Sequence, residues 1–184
     1  DARFIEWCQK TYPLHKYKRV ALLMGELRKV KQPREVELMQ KACDITECGF
    51  RRVLNYVRPG VMENEIEAEF IHEFIRLGSK GFAYGPIIAS GENNVILHYV
   101  DNDKQCHAGE LLLLDVAAEY ANYNSDLTRT IPVSGVFTKR QKEVYNAVLR
   151  IQREANKILQ PGVVYFDYHK EVEKMMESEL LKLK

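Results

Sequence analysis

Apolar side chains recur every three or four residues along most of the chain, which is the spacing of an amphipathic helix. In the longest such stretch, Val36, Met39 and Ala42 keep this spacing. Pro33 stands in its first turn, where a missing N–H costs nothing, and Pro59-Gly60 ends it. The pattern predicts six helices, over residues 2–12, 16–30, 33–57, 63–77, 138–159 and 166–183.

The middle of the chain has a different pattern. Leu111–Leu114 are four apolar residues in a row, as in a buried strand, and residues 127–133 are rich in residues that favour β-structure. Strands are predicted near residues 84–90, 95–100, 111–119 and 122–133.

Two aspartates lie on the last two predicted strands. If these strands form a hairpin that turns near Tyr120–Ala121, positions whose numbers add to 241 face each other, and Asp115 lies opposite Asp126. Opposed like charges about 5 Å apart destabilise a strand pair, and a divalent ion bound by hard oxygen ligands would relieve this repulsion. The turn lacks an Asn-Gly signal, so the register could differ by one or two residues. Taken alone, such a pair is weak evidence for metal, and two chance charges on a solvated hairpin are the favoured interpretation.

The chain also contains an internal repeat. Pro59-Gly60-Val61 recurs as Pro161-Gly162-Val163, each time between a long predicted helix and a shorter one. The first helix pair is followed by the predicted strands, whereas no strands are predicted after the second. The repeat indicates a duplicated helix–helix–strand unit. Coincidence is the alternative, because a Pro-Gly pair commonly ends a helix.

Composition narrows the functional classes. The 184 residues are 46% hydrophobic, which suits a soluble domain with a sizeable core. A net charge of +1 gives no general attraction to nucleic acid, and no stretch approaches the roughly 20 apolar residues of a membrane span. The four cysteines show no C-x-x-C spacing, so we expect a reduced, cytoplasmic setting.

Two sequence motifs carry a resemblance to a known family. LLLLDVAAEYANYNSDLTRT resembles the metal-binding hairpin of the pita-bread metallopeptidases, in their aminopeptidase P and prolidase branch, and PIIASGENNVILHY resembles that branch's histidine-bearing segment. The resemblance runs from about Lys31 to the end of the chain. It implies an α+β class and an incomplete pita-bread fold, with long helices packed on a curved, mainly antiparallel sheet.

The resemblance also implies roles for individual residues. Asp115 and Asp126 would be the first two of five ligands to a pair of divalent ions, with Mn expected and Co or Zn as alternatives. His98 would be catalytic, contacting the substrate or stabilising the tetrahedral intermediate; an ordinary half-buried strand histidine is the alternative. Tyr84 would lie beside a metal-bridging carboxylate, and Thr128 would support the hairpin.

The remaining His and Glu ligands of the family have no counterpart after Pro132. The chain is therefore interpreted as an internal fragment of a catalytic domain. Residues 1–32 would be the tail of an N-terminal domain and a linker, residues 33–137 a first αβ unit, and residues 138–184 the helices of a second unit. Such a fragment is expected to bind metal weakly or not at all, to be inactive by itself and to self-associate.

The implied function is an aminopeptidase with two metal ions that removes an N-terminal residue preceding proline. Its substrates would be peptides with proline in the second position, with no nucleic-acid or membrane partner and with a homo-oligomer expected. Two alternatives stay open: a prolidase that cleaves Xaa-Pro dipeptides, and a pita-bread domain that has lost catalysis and binds partners. The joint presence of His98, Asp115 and Asp126 favours an enzyme.

Overall fold

A computed structural model of the chain describes residues 2–183. Its six helices are α1 (Ala2–Thr11), α2 (Val20–Lys29), α3 (Pro33–Tyr56), α4 (Glu63–Arg76), α5 (Lys139–Ile158) and α6 (Tyr165–Lys182). Its strands are β1 (Ile87–Ser90), β2 (Leu111–Asp115), β3 (Glu119–Tyr120), β4 (Tyr123–Asn124) and β5 (Thr128–Pro132). All six predicted helices are present, and α2 begins four residues later than predicted. No helix among residues 2–183 is long and apolar enough to cross a bilayer.

The core forms between two helices and a three-stranded sheet. The strand order is β1-β2-β5, both pairings are antiparallel, and α3 and α4 pack together over these strands and the β3–β4 hairpin. Leu112 and Leu114 point into the core, where they meet apolar residues of the helices such as Ile45 and Phe70. The helices approach closely at Gly49, because a Cβ atom there would lie 2.5 Å from the ring of Phe74.

The hairpin is present, but its predicted register is wrong by two residues. Asp115 pairs with Thr128, not with Asp126, and the chain reverses at Ala121–Asn122. Both turn residues have positive φ, 51° and 67°, as in the two-residue turns that match the twist of a hairpin. Because side chains alternate between faces, a slip of two residues keeps every side chain on its predicted face.

The predicted strand at residues 95–100 is absent. A short 3-10 helix, Gly91–Val95, follows β1 directly, and the chain then turns through His98, whose φ is 56°. His98 is exposed and lies in this turn. The predicted strand position of His98 is therefore wrong, and so is the alternative interpretation of His98 as an ordinary half-buried strand histidine.

Helices α5 and α6 form a second helix pair. They pack against each other, and Arg150 of α5 pairs with Glu179 of α6. The contacts of α5 in the structure are with α6, and the predicted place of α5 on the same side of the sheet as α3 stays a prediction. The two Pro-Gly turns agree with the repeat, since Gly60 and Gly162 have similar φ values of 98° and 91°.

Candidate metal-binding site

The candidate metal ligands share one face of the sheet, opposite α3 and α4. Strand pairing places Ile87, Asp115 and Thr128 in one row across β1, β2 and β5. The hairpin register continues beyond β2, because the amide of Val116 donates to the carbonyl of Leu127 over 3.0 Å. Asp126 therefore lies two residues from Thr128 on the same face. The two aspartates are diagonal neighbours, and the prediction that their side chains share a face is confirmed.

Tyr84 connects the two carboxylates. Its hydroxyl lies 2.7 Å from Oδ1 of Asp115 and 3.1 Å from Oδ1 of Asp126. A hydroxyl carries one proton, so it donates to one carboxylate at a time, with the shorter contact to Asp115. Burial, and then the hydrogen bond to Asp115, raise the pKa of Tyr84 far above its ordinary value, so the phenol stays protonated and available as a donor at neutral pH.

His98 and Asp115 line a common cavity of about 220 Å³. Leu113, Ile87 and Ala89 form its apolar floor on the sheet, and the remaining lining residues are Asn93, Asn94, Val95, Ile96, Leu97 and Thr128. The structure thus brings His98, Asp115 and Thr128 to one concave surface, although they are separated by up to 30 residues in sequence. The cavity therefore has an imidazole and a carboxylate in its lining.

Asp126 opens onto a second and larger cavity. This cavity, of about 550 Å³, lies between α3 and the start of β5, and Phe50 and Leu54 contribute apolar surface to it. Asp126 itself is exposed, whereas Asp115 is half-buried. Asp115 therefore borders one cavity and Asp126 the other, and the hydroxyl of Tyr84 contacts both carboxylates.

A buried polar network behind the hairpin holds it against α3. Thr46, which is 2% exposed, accepts a hydrogen bond from the amide of Ala118 over 2.8 Å. Its hydroxyl also lies 2.7 Å from that of Ser125, the residue before Asp126. The sequence analysis missed both residues, because a threonine or serine at a core position has no signal of its own in a hydrophobic pattern.

Glu63 is a second residue that the sequence analysis missed. It is the first residue of α4 and is fully buried, with its carboxylate bonded to the segment that carries His98. An acidic residue in the first turn of a helix is ordinarily a surface feature that favours the helix dipole. Only the packing of α4 against the His98 segment shows that this carboxylate lies inside the protein.

The donor set fits part of a divalent metal site. Asp115 and Asp126 are hard oxygen donors, and no lysine or arginine forms an ion pair with either among the described residues. Within residues 2–183, no group of three or more His, Cys, Asp and Glu residues is arranged to hold a metal ion. Two carboxylates fill less than the coordination shell of one divalent ion.

Comparison with known proteins gives the family. The sequence pattern of metallopeptidase family M24 matches residues 37–183. The chain belongs to this family. The match includes all the candidate site residues and the helices α4 to α6.

Named relatives of this M24 chain are aminopeptidases. It is 41% identical over 140 residues to the Xaa-Pro aminopeptidase of Haemophilus influenzae, covering 76% of this chain and 33% of that protein. It is 39% identical over 161 residues to the Xaa-Pro aminopeptidase of Escherichia coli, covering 88% of this chain and 36% of that one. The chain therefore spans about a third of the length of these relatives.

Solved structures agree with this family assignment. The zinc-substituted Escherichia coli aminopeptidase P in complex with product is 38% identical and superposes with a TM-score of 0.82, covering 85% of this chain and 36% of that chain. Helices packed on an antiparallel sheet, together with this similarity, confirm the predicted α+β class and the pita-bread fold. The resemblance to the aminopeptidase P branch is confirmed as well.

Proposed function

We propose that this M24 chain is part of an aminopeptidase that removes the N-terminal residue preceding proline. The observation that carries the proposal is the pair Asp115 and Asp126, on one sheet face, contacted by a single tyrosine hydroxyl and unpaired with any lysine or arginine among the described residues. The relatives named Xaa-Pro aminopeptidase support the substrate class, peptides with proline second.

We propose further that Asp115 and Asp126 help to hold two divalent ions, with Mn expected and Co or Zn as alternatives. The other ligands would come from residues outside this chain. Ions bound at such a site polarise a carbonyl and lower the pKa of water. Tyr84, by donating to Asp115, would fix which carboxylate oxygen stays free to bind metal.

His98 is the proposed contact to the substrate. It lies on the rim of the cavity that holds Asp115, exposed and able to reach a bound peptide. A neutral imidazole can donate one N–H to the carbonyl oxygen of the scissile bond, where negative charge develops during attack. Thr128, across from Asp115, borders the same surface and would keep the two strands in register beside the ligand.

The chain is proposed to have three parts: residues 1–32 as a tail and linker, 33–137 as the first αβ unit and 138–184 as the helices of a second unit. In support, α1 and α2 pack against no other described element. The outer edge of β5 has no strand partner among the described residues, which invites pairing with another chain. A homo-oligomer is the expected consequence, and sizing at several concentrations tests it.

Peptidase activity of an extended protein tests the proposal. In a version extended to the length of the curated relatives, Asp126→Ala should abolish hydrolysis of a peptide with proline second, because one carboxylate cannot hold both ions. His98→Ala should cost less, about 10²–10³-fold in kcat, since it removes only transition-state contacts. Asp44→Ala, which deletes an exposed carboxylate on α3, is the matched control and should be fully active. Full activity of Asp126→Ala would refute the mechanism.

Calorimetric titration of the 184-residue chain with Mn²⁺ tests its proposed incompleteness. We expect weak binding or none, because the repulsion between the two aspartates is not offset by the remaining ligands. Micromolar binding of two ions, together with turnover of a peptide substrate, would show that the chain is complete in itself.

Two rival functions have distinct outcomes in these assays. A prolidase would cleave Xaa-Pro dipeptides and leave longer peptides intact. A partner-binding domain would hydrolyse neither, even when extended and supplied with metal.

A further inference from the structure

The carboxylate of Glu63 is enclosed by hydrogen-bond donors. Oε1 accepts from the amide and the hydroxyl of Ser90, each over 2.7 Å, and from the side-chain amide of Asn93 over 3.3 Å. Oε2 accepts from the hydroxyl of Tyr99 over 2.6 Å and from the amide of Lys104 over 3.1 Å. The side chain is fully buried.

Hydrogen bonds, and not an ion pair within residues 2–183, balance this carboxylate. Among the described residues, Glu63 forms no ion pair, and its charge is stabilised by neutral donors and by its place at the first residue of α4. An unpaired buried charge is costly, and several hydrogen bonds to a carboxylate are what make it tolerable. The carboxylate therefore holds each donor group in place, together with the backbone of the residue that carries it.

The donors bracket His98. Ser90 ends β1 immediately before the 3-10 helix, Asn93 lies within that helix, and Tyr99 follows His98 directly. Lys104 lies beyond the turn. The carboxylate of Glu63 therefore holds the segment through two residues before His98 and two residues after it. The His98 side chain itself remains exposed.

The backbone at His98 shows why such an anchor matters. A φ of 56° is in the left-handed region, which a histidine occupies only where the surroundings hold it there. Tyr99 is 6% exposed, so its ring is packed while its hydroxyl is bonded. Farther along, Asn102 also has positive φ and accepts from the amide of Ile88 on β1. Polar contacts with α4 and β1 therefore hold the turn, and His98 lies at its exposed end.

We propose that Glu63 is the positioning residue for His98: it holds the turn in the one conformation that presents the imidazole to the cavity beside Asp115. The inference rests on the proposed function only for what His98 does. The anchoring itself concerns residues 90–104 and can be measured in the chain as it stands.

Glu63→Gln is the most informative substitution. It keeps the shape, but an amide has only one oxygen, so its NH₂ group must face the amide and hydroxyl of Ser90 or the amide of Lys104. Glu65→Gln is the matched control, because it also removes an acidic residue from the first turn of α4, where Glu65 bonds only the exposed amide of Met62.

Hydrogen–deuterium exchange on the 184-residue chain reads out the anchor. We expect Glu63→Gln to speed exchange of residues 91–104 at least about tenfold, with α5 unchanged, and Glu65→Gln to change that segment less than about twofold. Equal exchange in the two variants would overturn the proposal. If Glu63→Gln unfolds the whole chain, Tyr99→Phe replaces it: a local increase in the same segment supports the anchor, and no increase refutes it.

A double-mutant cycle in the extended enzyme separates positioning from general stability. If Glu63 acts through His98, Glu63→Gln lowers kcat, yet has no further effect once His98→Ala is present. If the two substitutions lower kcat by factors that multiply in the double mutant, the positioning role is refuted. If His98→Ala alone leaves kcat unchanged, the proposed role of His98 fails, while the exchange result for Glu63 still stands or falls by itself.

Discussion

Replacing Thr46 by valine removes one oxygen atom from behind the metal-binding hairpin while keeping the shape of the side chain. That oxygen accepts from the amide of Ala118 over 2.8 Å and lies 2.7 Å from the hydroxyl of Ser125. It also lies 3.0 Å from the carbonyl of Ala42. The substitution therefore removes the contacts of Thr46 with the hairpin without creating a cavity.

The magnitude follows from what each partner can do afterwards. Ser125 keeps two acceptors, the carbonyls of Ala42 and Ala118, so its loss is small. The amide of Ala118 is left without that acceptor inside the core, and an unsatisfied buried amide costs about 1–3 kcal/mol. Because the hydroxyl of Thr46 no longer has to be desolvated, part of this cost is recovered. We expect Thr46→Val to lower the free energy of unfolding by about 2 kcal/mol.

Denaturant unfolding measures this change, and Thr46→Ser is the paired variant. Serine keeps the hydroxyl and loses one methyl group, so its expected cost is about 1 kcal/mol. The exchange rate of the Ala118 amide distinguishes the two further, since valine should accelerate it and serine should not. A valine variant at least as stable as the serine variant, with unchanged exchange at Ala118, would refute the reasoning.

Other consequences concern thiol reactivity, helix packing and pH. Burial raises the pKa of Cys106 to about 11, so iodoacetamide at pH 8 should alkylate the exposed Cys43 roughly tenfold faster or more; equal rates would contradict the burial. Gly49→Ala should destabilise the chain, because its Cβ would lie 2.5 Å from a phenylalanine ring of α4, whereas Gly25→Ala, with open space around it, should be neutral or stabilising in thermal unfolding. A hydrogen bond from a neighbouring arginine holds the pKa of Glu73 below its ordinary value of 4.5. Its stabilising contribution is therefore present above about pH 4.5 and lost as the pH falls through the lower folded-state value, so Glu73→Gln should flatten the acid limb of the stability curve.

The hairpin shows what a hydrophobic pattern can predict. The position of the polar Asp115 directly after four leucines determines which face each residue occupies, because the opposite orientation would bury its carboxylate in the core. It does not determine which of two registers of equal parity is adopted. That choice lies with the turn, and Ala121 and Asn122 adopt positive φ without the glycine that normally indicates such a turn.

Residues 95–100 show where the same pattern misleads. Val95, Ile96 and Leu97 are consecutive apolar residues, as in a strand, yet Val95 and Leu97 are 89% and 84% exposed. In the structure, β1 pairs with β2. The side chains of Asn93 and Tyr99 donate hydrogen bonds to the buried carboxylate of Glu63. A contact with a distant glutamate decides the local conformation, and no window of neighbouring residues contains that information.

The two helices over the sheet each contribute one buried polar residue to the candidate site. Thr46 of α3 holds the hairpin at Ala118 and Ser125, next to Asp126, and Glu63 of α4 holds the turn that carries His98. Neither network shares a residue with the other. Each sits on a rigid helix, whereas the side chain it positions lies outside regular secondary structure. The helix layer therefore has two roles. It buries the apolar face of the sheet, and through Thr46 and Glu63 it holds in place the irregular segments that carry the candidate site residues of this family.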